Sequence, residues 1–197
     1  YHGLLIAAAQ PPVGRLVALN QVFEQLYLTS TQDPDAAPQV LELMTGQFMD
    51  KQGQTVDAPR GFAYLAEFER GLSVRWRYQW GAVQFTRELF LHDHAQAATL
   101  RYHVTGLAQS GYHACLRLSP MVSLRDFHAV LREPAHGSFH IENREDQITV
   151  HHDAAKATFN CPNAHFTEHP NWWYQFFYAA DADRGQDERE DLYVPGF

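Results

Sequence analysis

Polar and apolar residues alternate along much of this chain with a period of two. Ser73-Val74-Arg75-Trp76-Arg77-Tyr78-Gln79-Trp80 does so without a break, as a strand with one buried and one wet face requires. Leu100, Tyr102 and Val104 repeat the pattern between Thr99, Arg101, His103 and Thr105. Weaker versions run over 112–119, 147–151 and 156–159. Apolar stretches at 3–9, 15–19, 22–28 and 40–44 read as further short strands. Turn-forming clusters punctuate them: Pro11-Pro12-Val13-Gly14, Asp33-Pro34-Asp35, Asp50-Lys51-Gln52-Gly53, Arg70-Gly71, His92-Asp93-His94, Gln109-Ser110-Gly111 and the polar run 142–146. No stretch carries a helical stripe long enough to predict a helix, and no internal repeat is present. The pattern predicts an all-β fold, a large antiparallel β-sandwich with few or no helices.

Composition narrows the function. The 197 residues suit a single β-sandwich domain over 1–197, and 45% apolar against 19% charged is globular. The formal net charge is −8, with Lys51 and Lys156 as the only lysines. That balance argues against nucleic acid, whose binding rests on neutralising phosphates, and against an anionic membrane surface. Cys115 and Cys161 show no CxxC spacing and read as two thiols in a reducing cytosol. No apolar run reaches the ~18 residues of a membrane-spanning helix.

Candidate chemistry is scattered. In Arg125-Asp126-Phe127-His128, an extended backbone sends Asp126 and His128 to one face and Arg125 and Phe127 to the other. A carboxylate beside a histidine is the orienting half of a triad, yet no serine or cysteine stands in a nucleophile-elbow context. His92-x-His94 and His151-His152-Asp153 resemble metal-ligand pairs, but they read as solvated histidines and no metal or cofactor is predicted. Trp76, Tyr78 and Trp80 read as core. The run Trp172 to Tyr178 holds six aromatics in seven residues, and adjacent Trp172 and Trp173 must face opposite sides of a strand. Trp173 therefore becomes a candidate for a contact surface. The acids Asp187, Glu188, Glu190 and Asp191 crowd one short segment, whereas glycoside hydrolysis needs two carboxylates facing across a cleft. They read as a solvated or salt-bridged loop, and 181–197 as an exit segment toward a further domain.

Four stretches, in order, resemble one family. Tyr1-His2-Gly3-Leu4-Leu5-Ile6-Ala7-Ala8 with Pro11-Pro12-Val13-Gly14-Arg15 looks like the opening of the bacterial and archaeal type of glycogen debranching enzyme. Pro59-Arg60-Gly61-Phe62 is similar to its P-x-G-aromatic segment, and Arg125-Asp126-Phe127-His128 to its R-D-aromatic-H segment. Arg184-Gly185-Gln186-Asp187, Glu190-Asp191-Leu192 and Pro195-Gly196 resemble the signature that closes the domain, although Asp181 stands where a glutamate is expected. The resemblance implies a non-catalytic N-terminal β-sandwich that packs on an (α/α)6 barrel with amylo-α-1,6-glucosidase activity and helps shape its α-glucan cleft. The family's catalytic acid and base lie in that barrel, so no catalytic residue carries over. It further implies glycogen or maltooligosaccharide as partner, with the barrel of the same chain, and a cytoplasmic location. The isolated domain could also dimerise through an exposed apolar patch. The expected substrate or interface residues are Tyr1, His2, Arg125, Asp126, His128 and Trp173. Tyr1 and His2 belong because a polar-aromatic pair opening an apolar strand sits at a sheet end, where sites collect. Two alternatives stay open: a free-standing lectin-like carbohydrate-binding module, and a cupin-like metalloenzyme.

Overall fold

The computed structural model describes residues 3–132, 139–145 and 147–197. Its strands, in chain order, open with β1 (Leu5–Gln10), β2 (Gly14–Ser30), β3 (Gln39–Glu42), β4 (Thr45–Met49) and β5 (Thr55–Arg60). There follow β6 (Leu65–Arg70), β7 (Val74–Trp80), β8 (Val83–Leu91), β9 (Ala98–Thr105) and β10 (Tyr112–Asp126). Last come β11 (His140–Arg144), β12 (Gln147–His152), β13 (Ala155–Phe159), β14 (Glu168–Phe177) and β15 (Arg189–Gly196). Among the described residues the helices are one-turn pieces: α1 (Leu107–Ser110), α2 (Ala179–Ala182) and a 3-10 turn at Gly61–Tyr64. The fold is an all-β antiparallel sandwich, as the period-two pattern predicts.

The chain groups into two compact units. The first takes in the described residues of Tyr1–Val22, Gly46–Ala58 and Ser119–Phe197, the second Phe23–Thr45 and Pro59–Leu118. In the first, the strands run β1-β2-β10-β15-β14-β4-β5, and β11-β12-β13 form a separate three-stranded sheet. Its core packs Ala18, Val122, Leu124 and Tyr193 of the large sheet with Val150 of the small one. In the second, β3 pairs with the far part of β2 from Gln25↔Glu42 to Leu28↔Gln39, and β6-β7-β8-β9 form a four-stranded meander. Leu26, Leu28, Leu41 and Leu43 meet Tyr78, Val83 and Phe85 in its core, with Trp76 and Trp80 packed alongside. The inward reading of Trp76, Tyr78 and Trp80 thus holds.

Three differences from the sequence reading have physical causes. The stretches 15–19 and 22–28 are one continuous β2, because Asn20, which looks like a break, has its amide satisfied inside the sheet. β10 runs straight through Pro120, which forfeits a single donor. The third concerns the acid-rich tail. Residues 189–196 are a strand flanked on both sides, by β10 and β14, rather than a solvated loop. Glu190 and Asp191 are buried there, because each carboxylate finds donors within the fold.

Candidate functional site

Four neighbouring strands of the first unit bring polar groups together. β2 supplies Asn20, β10 supplies Ser123 and Arg125, β15 supplies Glu190, and Tyr178 follows the end of β14. Alternation does the sorting. Val122 and Leu124 enter the hydrophobic cluster, so Ser123 and Arg125 project from the opposite face.

Glu190 is the hub and is 0% exposed. Its Oε2 accepts from Arg125 Nη2 at 2.9 Å, Asn20 Nδ2 at 3.1 Å and the Tyr178 hydroxyl at 2.7 Å. Its Oε1 accepts from Arg125 Nε and from the Leu131 amide, the latter at 3.2 Å. Asn20 Oδ1 in turn accepts from the Ser123 hydroxyl. Arg125 Nη1 donates to the carbonyls of Asp126 and Phe127 at 3.0 and 3.4 Å. A buried carboxylate is tolerable only if the hydrogen bonds it gave to water are replaced. Here five donors replace them. Burial, and then the charge of Glu190, push the Tyr178 phenol well above its usual range, which keeps it a donor.

Asp191 does different work. Its Oδ1 accepts from the Gln175 amide at 2.9 Å, and Gln175 has φ 62°. The β14–β15 register slips between Trp173 and Phe176 at this residue, which marks a β-bulge. One extra residue puts Trp173 and Phe176 on the same face, both against Phe48, at ring-centroid distances of 6.1 and 4.3 Å. Trp172 turns the other way, onto Phe139 and Tyr193 at 5.6 and 5.5 Å.

The expected site residues fall into three groups. Arg125 is buried and bonded to Glu190. Asp126 and His128 are exposed, with Asp126 Oδ1 accepting the His128 amide at 2.8 Å and the His128 ring edge-on to Phe127 at 5.2 Å. Arg125 and His128 line a common cleft with Tyr178, Asp181, Gln186 and Asp187. Its free volume of about 30 Å³ admits a water or two, whereas ligand pockets run to roughly 300 Å³ and more. Trp173 is half-buried and packs with Phe48 and Phe176, separate from the residues that line the cleft. Tyr1 and His2 lie outside the described residues.

Sequence reasoning missed Glu190 as the partner of Arg125, and Asn20, Ser123 and Tyr178 as members of the network around that carboxylate. An acid inside a charged run looks solvated, and a partner 65 positions away leaves no local trace. The histidine pairs are dispersed. His92 bonds Thr99 Oγ1 at 2.8 Å beside a hairpin turn, while His152 is buried and stacked on Phe139 at 4.2 Å. Among the described residues no group of three or more His, Cys, Asp and Glu side chains could hold a metal ion. Cys115 and Cys161 are exposed and not disulfide-bonded. No helix among them is long and apolar enough to cross a membrane.

The second unit also buries a carboxylate. Glu24 is 1% exposed, and its Oε1 accepts from Arg87 Nη1 at 3.0 Å and the Tyr102 hydroxyl at 3.1 Å. Its Oε2 has no hydrogen-bond partner among the described residues. Burial pushes its pKa up against the opposing pull of Arg87. The Arg87 guanidinium lies 4.0 Å from the Trp76 ring centre.

A comparison with family models matches residues 1–197, the whole chain, to the glycogen debranching enzyme N-terminal domain. The chain belongs to that family. Comparisons with curated proteins and with solved structures gave no match. In this N-terminal domain of a debranching-type enzyme, several of the described residues that carry the family likeness have partners inside the fold. Arg125 and Glu190 pair with each other, and Asp191 pins the bulge. A Cβ on Gly61 would stand 2.1 Å from the Leu43 carbonyl oxygen. Gly196, at φ 149°, would put one 2.1 Å from the Thr167 oxygen. Only glycine fits either place.

Proposed function

We propose that this domain is the non-catalytic N-terminal part of a glycoside hydrolase of the amylo-α-1,6-glucosidase kind. In this reading it packs on the (α/α)6 catalytic barrel of the same chain and helps shape the α-glucan cleft. The supporting observation is the fate of its best acid and cation. Glu190 and Arg125 are spent on each other and on the backbone, with the carboxylate wholly out of reach of a substrate. General acid–base work needs a group within hydrogen-bond distance of the reacting atoms. What faces outward is the rim formed by Asp126, His128, Gln186 and Asp187, polar groups suited to hydroxyls or to a polar protein surface. The two exposed, unbonded thiols support a reducing, cytoplasmic setting.

The purified domain is expected to release no glucose from α-1,6-branched glucan under conditions where a complete debranching enzyme does. Turnover by the domain would refute this division of labour. Affinity electrophoresis in glycogen sharpens the result. Weak retention is expected, reduced by His128→Ala or Asp187→Ala. Strong retention abolished by Trp173→Ala would favour the lectin-like alternative. Trp172→Ala does not serve that test, since Trp172 packs against the core cluster that holds Val122, Leu124 and Tyr193.

A further inference from the structure

The segment 127–132, which follows β10, is pinned at both ends. At its start the Phe127 amide donates to the Arg15 carbonyl at 3.0 Å, and the Arg15 guanidinium lies 5.4 Å from the Phe127 ring centre. Arg125 holds the carbonyls of Asp126 and Phe127 from beneath. At the other end Leu131 is 0% exposed. Its amide donates to Glu190 Oε1 at 3.2 Å, and its carbonyl accepts from the Asp191 amide at 2.9 Å. Between the pins, His128 and Ala129 are exposed and Val130 is half-buried. All three line the cleft.

We propose that Glu190 is the positioning residue of this strap: one buried carboxylate, holding Arg125 at one end and Leu131 at the other, sets where the His128 rim stands. This inference rests on the reading that the rim meets glucan or the catalytic barrel. A contact surface fixed beforehand pays less ordering entropy when it binds. Glu190 reaches no substrate. It acts through the backbone it ties down, and a sheet strand is a rigid base for such a rim.

Amide hydrogen exchange of the 197-residue chain tests it. Glu190→Gln keeps the size but weakens the hold on Arg125 and Leu131. Exchange at 127–132 is then expected to quicken at least about tenfold, with amides of β12 and β13 unchanged. Tyr178→Phe removes one donor from the same carboxylate without touching Leu131, and is expected to leave the strap within about twofold. Unchanged exchange at 127–132 in Glu190→Gln would overturn the proposal. So would equal acceleration across the first unit, which would make Glu190 a general stabiliser.

If Glu190→Gln does not fold, exchange of the unmodified chain in mild urea decides. The strap is expected to open separately, at lower denaturant dependence than β12. A single opening shared by both would refute the strap. Retention of His128→Ala in glycogen is a separate readout, so the strap can stand while the rim's binding role fails, and the reverse.

Discussion

Among the described residues each unit buries one glutamate on its interior, Glu190 in the first and Glu24 in the second, and the two are treated differently. Glu190 in the first unit accepts from five donors spread over both carboxylate oxygens. Glu24 in the second accepts from two, both on Oε1. Burial is the same, at 0% and 1% exposure, so the partners decide the energetics. A buried charge with every lone pair answered can organise its surroundings. One that is half answered is carried mainly by its arginine and by the stacking of that arginine on Trp76. The lesson is that burial of an acid, by itself, says nothing about its role.

The widest gap should appear on deleting each hub. Glu190→Ala leaves Arg125 buried without its partner and is expected to cost about 3–5 kcal/mol, read from the loss of amide protection at Phe127 and Asp191. A cost under about 1 kcal/mol would erase the distinction between the two carboxylates. Glu24→Gln, read at Leu26 and Phe85, is expected to cost about 1–2 kcal/mol, because it removes a charge that burial already disfavours. If it matches Glu190→Ala, the two sites are equivalent after all.

A pH series sharpens the contrast. The Glu24 pKa is raised on folding, so the folded chain keeps the Glu24 proton to higher pH than the unfolded one. Its contribution is therefore most favourable below the ordinary value of 4.5 and declines as pH rises from there to the folded value. Glu24→Gln is expected to abolish that decline in the second unit's protection; a decline that persists would assign it to other groups. The smallest effect belongs to Tyr178→Phe, about 1 kcal/mol in the first unit, since four donors to Glu190 remain. A loss as large as that of Glu190→Ala would mean that the phenol, not the arginine, is the principal partner.

The strands were legible where alternation was unbroken, as in β7 and β9. They were less so where a polar residue had a hidden partner: Asn20 split β2 in the reading because its bond to Glu190 spans 170 positions. The tail was the hardest. Glu190-Asp191 has the composition of a wet loop, and only the pairing with β10 and β14 shows it to be a central strand. Alternation already divides the stretch 125–128 into Arg125 and Phe127 on one face and Asp126 and His128 on the other, but which face turns inward depends on that same strand. Local pattern records which face a side chain takes, not what waits on the other side.

The extra residue at Gln175 reaches further than its place in one strand suggests. Because of it, Trp173, Phe176 and Tyr178 look one way, and the last of these delivers its hydroxyl to Glu190. Straightening the strand with that residue kept in it would invert everything beyond: Phe176 would exchange places with Phe177, and the phenol would turn its back on the acid. A frame of aromatic rings and a web of hydrogen bonds are, at this point, geared to the same tooth.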